Sequence, residues 1–223
     1  MARIGTVVGL PPWQDRDVAL DERPAIRAGW SARVLRAVGR LDAGPRDAIV
    51  SRTGAKVVEA IRGQSAMSWL PMSDHVRLID ALVSTLGADE ARALLRDTSL
   101  RNMRSSLLAA SVSATLRVFG VGPLALVRMF PRGFRLITRG CGVVTVATFR
   151  DARGTEISFT QLPEPLRVAA WAISMSAVFD AAMEIGKVSG TVEADTQELD
   201  RGILRIHMLA DNRDSLVHDV GDR

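Results

Sequence analysis

The chain has 223 residues, 47% of them hydrophobic, enough for one large domain with an ordinary packed core. Basic residues outnumber acidic ones 29 to 25, for a net charge of +4, and only Lys56 and Lys187 among the basic residues are lysines. A single cysteine, Cys141, excludes an internal disulfide and any multi-cysteine zinc site and fits a reducing compartment, so cytoplasm is the expected location.

Residues 1–29, with Pro11, Pro12 and Pro24, read as an irregular arm that lacks the apolar length of a secretory signal. From Trp30 helical patterns follow one another. Trp30–Leu41 is the first. Pro45–Arg62 is the second, with Ile49, Val57, Val58 and Ile61 as its apolar stripe and Gly63 as its stop. Ser73 is the expected N-cap of the next, in which Val76, Ile79, Leu82, Val83 and Leu86 recur at helical spacing before Gly87. Asp89–Thr98 and Asn102–Phe119 continue the run, and Pro123 opens a further helix, so the first 140 residues are expected to be essentially all helix.

At Gly140 the pattern changes. CGVVTVATF is rich in β-branched residues, RDARG supplies turn chemistry, and TEISFTQL alternates, which together predict a hairpin. Pro163 and Pro165 precede LRVAAWAISMSAVFDAAMEIG, a helix apolar on most faces that ends at Gly186. Asp180 and Glu184 interrupt it, which argues for a buried helix and against membrane insertion. Strands near Lys187–Ala194 and Ile203–Leu209 form a second hairpin. The order implies an α+β fold, a helix-rich N-terminal part followed by a small antiparallel sheet of two hairpins packed against helices. Residues 30–209 are expected to form a single domain, within which 30–87 can stand as a helical subdomain. Residues 210–223, rich in aspartate, are an acidic tail.

Nine arginines lie between Arg92 and Arg139 against one acid, Asp97. Among them Arg128, Arg132, Arg135 and Arg139 are spaced by four, three and four residues, which puts them on one side of a helix. Such a row suits an acidic protein surface, a nucleotide or nucleic acid, because guanidinium forks match carboxylate and phosphate oxygens; the plainer reading is a solvated face. No aromatic platform, zinc finger or helix-turn-helix accompanies it, which disfavours nucleic acid. Phe130, Phe134, Trp171, Met175 and Phe179 are the candidate lining of an apolar ligand pocket, against the plainer reading of core filling. His75, His207 and His218 have no partner at metal-ligand spacing, and His75 near an N-cap reads as an exposed polar residue, so neither metal nor cofactor is expected. Cys141 reads as a buried small hydrophobe without an evident base, and no phosphate loop occurs.

The runs WLPMSDHVRLIDALVSTLG, GPLALVRMFPRGFRLITRGCGVVTV, LPEPLRVAAW and MEIGKVSGTVE, within residues 65–209, resemble a myxobacterial-type family. Its layout is similar to that of the 4-vinyl-reductase-type and haem-NO-binding domains, whose fold places helices over an antiparallel sheet around an apolar pocket. The resemblance implies small-molecule sensing or protein docking. The haem-binding branch uses a tyrosine-serine-arginine motif, and this chain has no tyrosine. These readings converge on a non-catalytic bacterial sensor or adaptor domain that binds a small apolar ligand or a protein partner and self-associates as a homodimer through its apolar helices. The alternative is a regulator that binds nucleic acid or a nucleotide through the arginine face; no constellation supports an enzyme.

Overall fold

A computed structural model describes residues 23–103, 123–149 and 154–211. The arm up to residue 22, most of the Asn102–Phe119 helix and nearly all of the acidic tail lie outside the described residues. So does most of the RDARG turn.

Seven α-helices and two antiparallel sheets make up the described part, an α+β fold as the sequence pattern requires. In chain order come β1 (Ala25–Arg27), α1 (Ala28–Val38), α2 (Ala43–Thr53), α3 (Ala55–Gly63), β2 (Trp69–Pro71), α4 (Met72–Leu86) and α5 (Ala88–Met103). Then follow α6 (Pro123–Ile137), β3 (Thr138–Arg139), β4 (Val143–Thr148), β5 (Gly154–Thr160), α7 (Ala169–Ile185), β6 (Gly190–Asp195) and β7 (Leu204–Ala210).

The larger sheet has the order β4-β5-β7-β6, so the two hairpins join through β5 and β7, with Ile157 opposite Ile206. Alternation explains its one-sided burial. Ile157 and Phe159 on β5, and Leu204, Ile206 and Met208 on β7, point to the core, while Glu156, Ser158, Arg205 and His207 are only partly covered on the other face. The turn into β4 depends on Gly142, whose φ of 88° is open to glycine and whose Cβ would stand 2.4 Å from the Thr160 carbonyl oxygen.

The smaller sheet, β2-β1-β3, corrects the sequence reading in two respects. Residues 25–27, assigned to the arm, form its central strand, and the first 140 residues are therefore not all helix. Strands this short carry too little pattern to be read alone; they form because Ile26 sits opposite both Leu70 and Thr138 in a buried setting. The Pro45–Arg62 helix is two helices, since Gly54 at φ 88° turns the chain between α2 and α3. Ser73 is not an N-cap: α4 starts at Met72, capped by Pro71 without a side-chain hydrogen bond. By contrast α6 runs straight through Pro131 and Gly133, because the packing of Val127 and Phe134 outweighs an internal proline's cost of roughly 3 kcal/mol.

The apolar helix α7 packs against α4, α5, α6 and β6, and none of the described helices is long and apolar enough to cross a membrane. Its interrupting acid has a purpose. Arg92 of α5 donates from Nε and Nη2 to the two Asp180 carboxylate oxygens at 2.6 and 2.8 Å, and from Nη2 to the Val192 carbonyl at 2.7 Å. One guanidinium thus joins α5, α7 and β6, and its hydrogen bond to Asp180 raises its affinity for the proton. Arg92→Ala is expected to lower stability by about 2–3 kcal/mol in chemical denaturation, since it strands a part-buried carboxylate. Arg96→Ala serves as the control; its exposed pair with Glu184 at 3.7 Å should contribute about 0.5 kcal/mol or less.

A candidate apolar ligand cavity

A cavity of about 490 Å³ lies among α1, α4, α5, α6 and α7. Its wall includes Phe130 and Phe134 of α6 and Trp171, Met175 and Phe179 of α7, so the structure brings all five sequence candidates to one place. Four of the five form a connected aromatic cluster. Phe130 lies 4.7 Å from Phe179 and 5.7 Å from Phe134 between ring centroids, and Phe134 lies 6.5 Å from Trp171. Phe159 of β5 backs the cluster with edge contacts to Phe130 and Phe134 at 6.0 and 5.7 Å.

Few polar groups interrupt this wall. Ser99, Thr98 and Asn102 come from α5 and Ser174 from α7, while Trp171 is 1% exposed and its indole N–H is buried with no acceptor among the described residues. A buried donor in that state costs roughly 1–3 kcal/mol until an acceptor is supplied.

The sequence reading places His75 at the surface; it is instead 4% exposed and belongs to the cavity wall. It sits one turn before Leu78 and Ile79 on the buried stripe of α4, a spacing that could have placed it inside. Its Nδ1 shares a hydrogen bond of 2.9 Å with the hydroxyl of Ser31, itself fully buried on α1. Burial pushes its pKa down to about 4, so the ring is neutral near pH 7. Cys141 is buried as expected, and burial pushes its thiol up to about 12, which leaves no nucleophilic thiolate at neutral pH.

The arginine row is shorter than its spacing implied. Arg128, Arg132 and Arg135 lie exposed on α6, and Arg132 also reaches the cavity rim. Arg139 has left the helix for β3, because α6 ends at Ile137. There its guanidinium lies 4.9 Å from the Trp69 ring centroid, with that of Arg27 at 3.8 Å, a structural clasp around one indole. Among the described residues no three His, Cys, Asp or Glu side chains gather as a metal site.

The α+β fold of the described residues is similar to that of solved H-NOX structures. The Fe(II) unliganded H-NOX protein from K. algicida matches with a TM-score of 0.57 at 9% identity, over 84% of this chain and 98% of that one. A point mutant of T. Tengcongensis H-NOX gives 0.52 at 11% identity, over 84% and 98%. A structure from work on heme distortion in the H-NOX family gives 0.53 at 11% identity, over 89% and 100%. At these identities the likeness establishes the fold, and it agrees with the haem-NO-binding side of the resemblance. No family model and no curated protein sequence matches the chain, and nothing among the matches supports the myxobacterial-type kinship.

Proposed function

We propose that this chain is a non-catalytic sensor domain that takes up a small apolar ligand in the cavity between α6 and α7. The observation that carries the reading is the cavity itself. Its volume of about 490 Å³ falls in the range of roughly 300–1,000 Å³ usual for small-molecule sites, with aromatic walls and sparse polar groups. Helix α6 supplies both the ring pair Phe130 and Phe134 and the exposed Arg128, Arg132 and Arg135. A ligand that reseats the rings thereby moves a charged outer face, which suits a cytoplasmic adaptor that signals to an acidic protein partner or a second copy of itself.

The H-NOX structures raise haem as the alternative occupant, and this chain departs from the motif by which the haem-binding branch holds it. His75 is the imidazole on the cavity wall among the described residues, with its Nδ1 held by the Ser31 hydroxyl, so the test falls on it. The tyrosine of the haem-binding motif is missing from the whole chain. The purified protein is therefore expected to be colourless, and native mass spectrometry should show a small organic molecule released on denaturation. A stoichiometric Soret band abolished by His75→Ala would replace this reading with a haem sensor.

A further inference from the structure

A second cavity, about 670 Å³, lies between α1 and α5 and has the opposite character. Arg33, Arg36 and Arg40 line it from α1, and Arg96 and Arg101 from α5. Among the described residues, two carboxylates pair with cations of this wall: Asp97, 3.1 Å from Arg101, and Glu184, 3.7 Å from Arg96. Positive charge remains in excess, and it is crowded. Arg33, half-buried, finds its proton affinity lowered by burial and then by the like charge of Arg36.

The two cavities share a wall. Thr98 and Asn102, one helical turn apart on α5, line both. Arg33 donates from Nη1 to the Asn102 side-chain oxygen at 2.6 Å, which holds the guanidinium at that wall. An apolar space thus abuts a cationic one across two small polar side chains.

Building on the apolar-ligand reading, we propose that the ligand is an amphipathic anion, a long-chain fatty carboxylate whose chain fills the aromatic cavity and whose head enters the groove of Arg33, Arg36 and Arg40. Arginine forks match a carboxylate, and a low-polarity chain needs no partner beyond the ring wall. The head is singly charged. Asp97, the one carboxylate among the described lining residues, is already engaged by Arg101, which leaves Arg36 and Arg40 to meet the head.

Titration of the full chain with palmitate, hexadecanol and acetate, followed by tryptophan fluorescence and calorimetry, tests the proposal. Palmitate should bind, hexadecanol at least about tenfold more weakly, and acetate not measurably, as expected when one charged hydrogen bond is lost. The double variant R36A/R40A, at two positions on the groove wall, should remove the palmitate advantage and leave hexadecanol unchanged. Val178→Trp, which fills the apolar cavity, should abolish both; Val178→Phe is the milder substitute if the first fails to fold. Equal affinity for palmitate and hexadecanol overturns the anionic head while the apolar-ligand reading stands. A palmitate preference that survives R36A/R40A moves the anion elsewhere, Arg132 included, and also overturns it. Palmitate binding that survives Val178→Trp but not R36A/R40A places the site in the groove alone, with the same result. No binding of either chain overturns the fatty-carboxylate proposal, while a small molecule released in the native mass spectrum would keep the apolar-ligand reading.

Discussion

Acidification from about pH 7 to about pH 4 is expected to remove on the order of 3 kcal/mol of stability through His75 alone, at about 1.4 kcal/mol per pKa unit. The unfolded imidazole takes its proton near its ordinary value of 6.5, whereas the buried ring holds off until about 4. Between those values the unfolded chain binds more protons, so acid favours unfolding. The contribution is fully present above pH 6.5, falls as pH drops toward 4 and is flat below. Ser31 sharpens the effect, since its hydroxyl hydrogen bond holds the ring in place. Urea melts across this range on the wild type and His75→Gln check it. The variant should show a distinctly shallower acid slope, and identical slopes would mean that His75 is exposed to solvent.

Replacing Trp171 with alanine is expected to cost about 3–5 kcal/mol, the usual range for a fully buried aromatic. The side chain is both core and cavity wall, so its loss enlarges an existing space that the surroundings cannot close. Trp171→Phe separates ring from indole N–H. It keeps most of the packing and removes a buried donor without an acceptor, so stability should change by about 1 kcal/mol or less. A ligand whose acceptor meets that N–H would bind Trp171→Phe more weakly at unchanged stability. Thermal melts with and without ligand read both effects, and a large stability loss in Trp171→Phe would show that the indole nitrogen has a partner after all.

Long periodic segments are legible in the sequence. The helices around Ile79 and Trp171, the hairpin at Val143–Thr160 and the pairing of β5 with β7 follow from apolar spacing and turn residues, because each buries one continuous face. The aromatic wall is legible for the same reason: Phe130 and Phe134, and Trp171, Met175 and Phe179, recur at helical spacing on two helices that meet. What escapes is non-local. Strands β1 and β3 have three and two residues, and their partners lie far away in sequence. Arg92 and Asp180 are unremarkable charges until packing places them together. His75 misleads because its position beside an expected cap competes with its place on the α4 stripe. The groove between α1 and α5 needs two faces that no single-helix pattern contains.

The three-stranded sheet bears on how the proposed ligand would get in and out. Ile26 of β1 and Thr138 of β3 both belong to the aromatic cavity's wall, and they are held by a few ladder bonds between very short strands. Under the apolar-ligand proposal, the expected entrance is a local parting of the start of α1 from the end of α6, which must expose the buried Ile26 and Thr138. That seam would then set the association rate, while the aromatic wall, through the affinity, sets how long the guest stays.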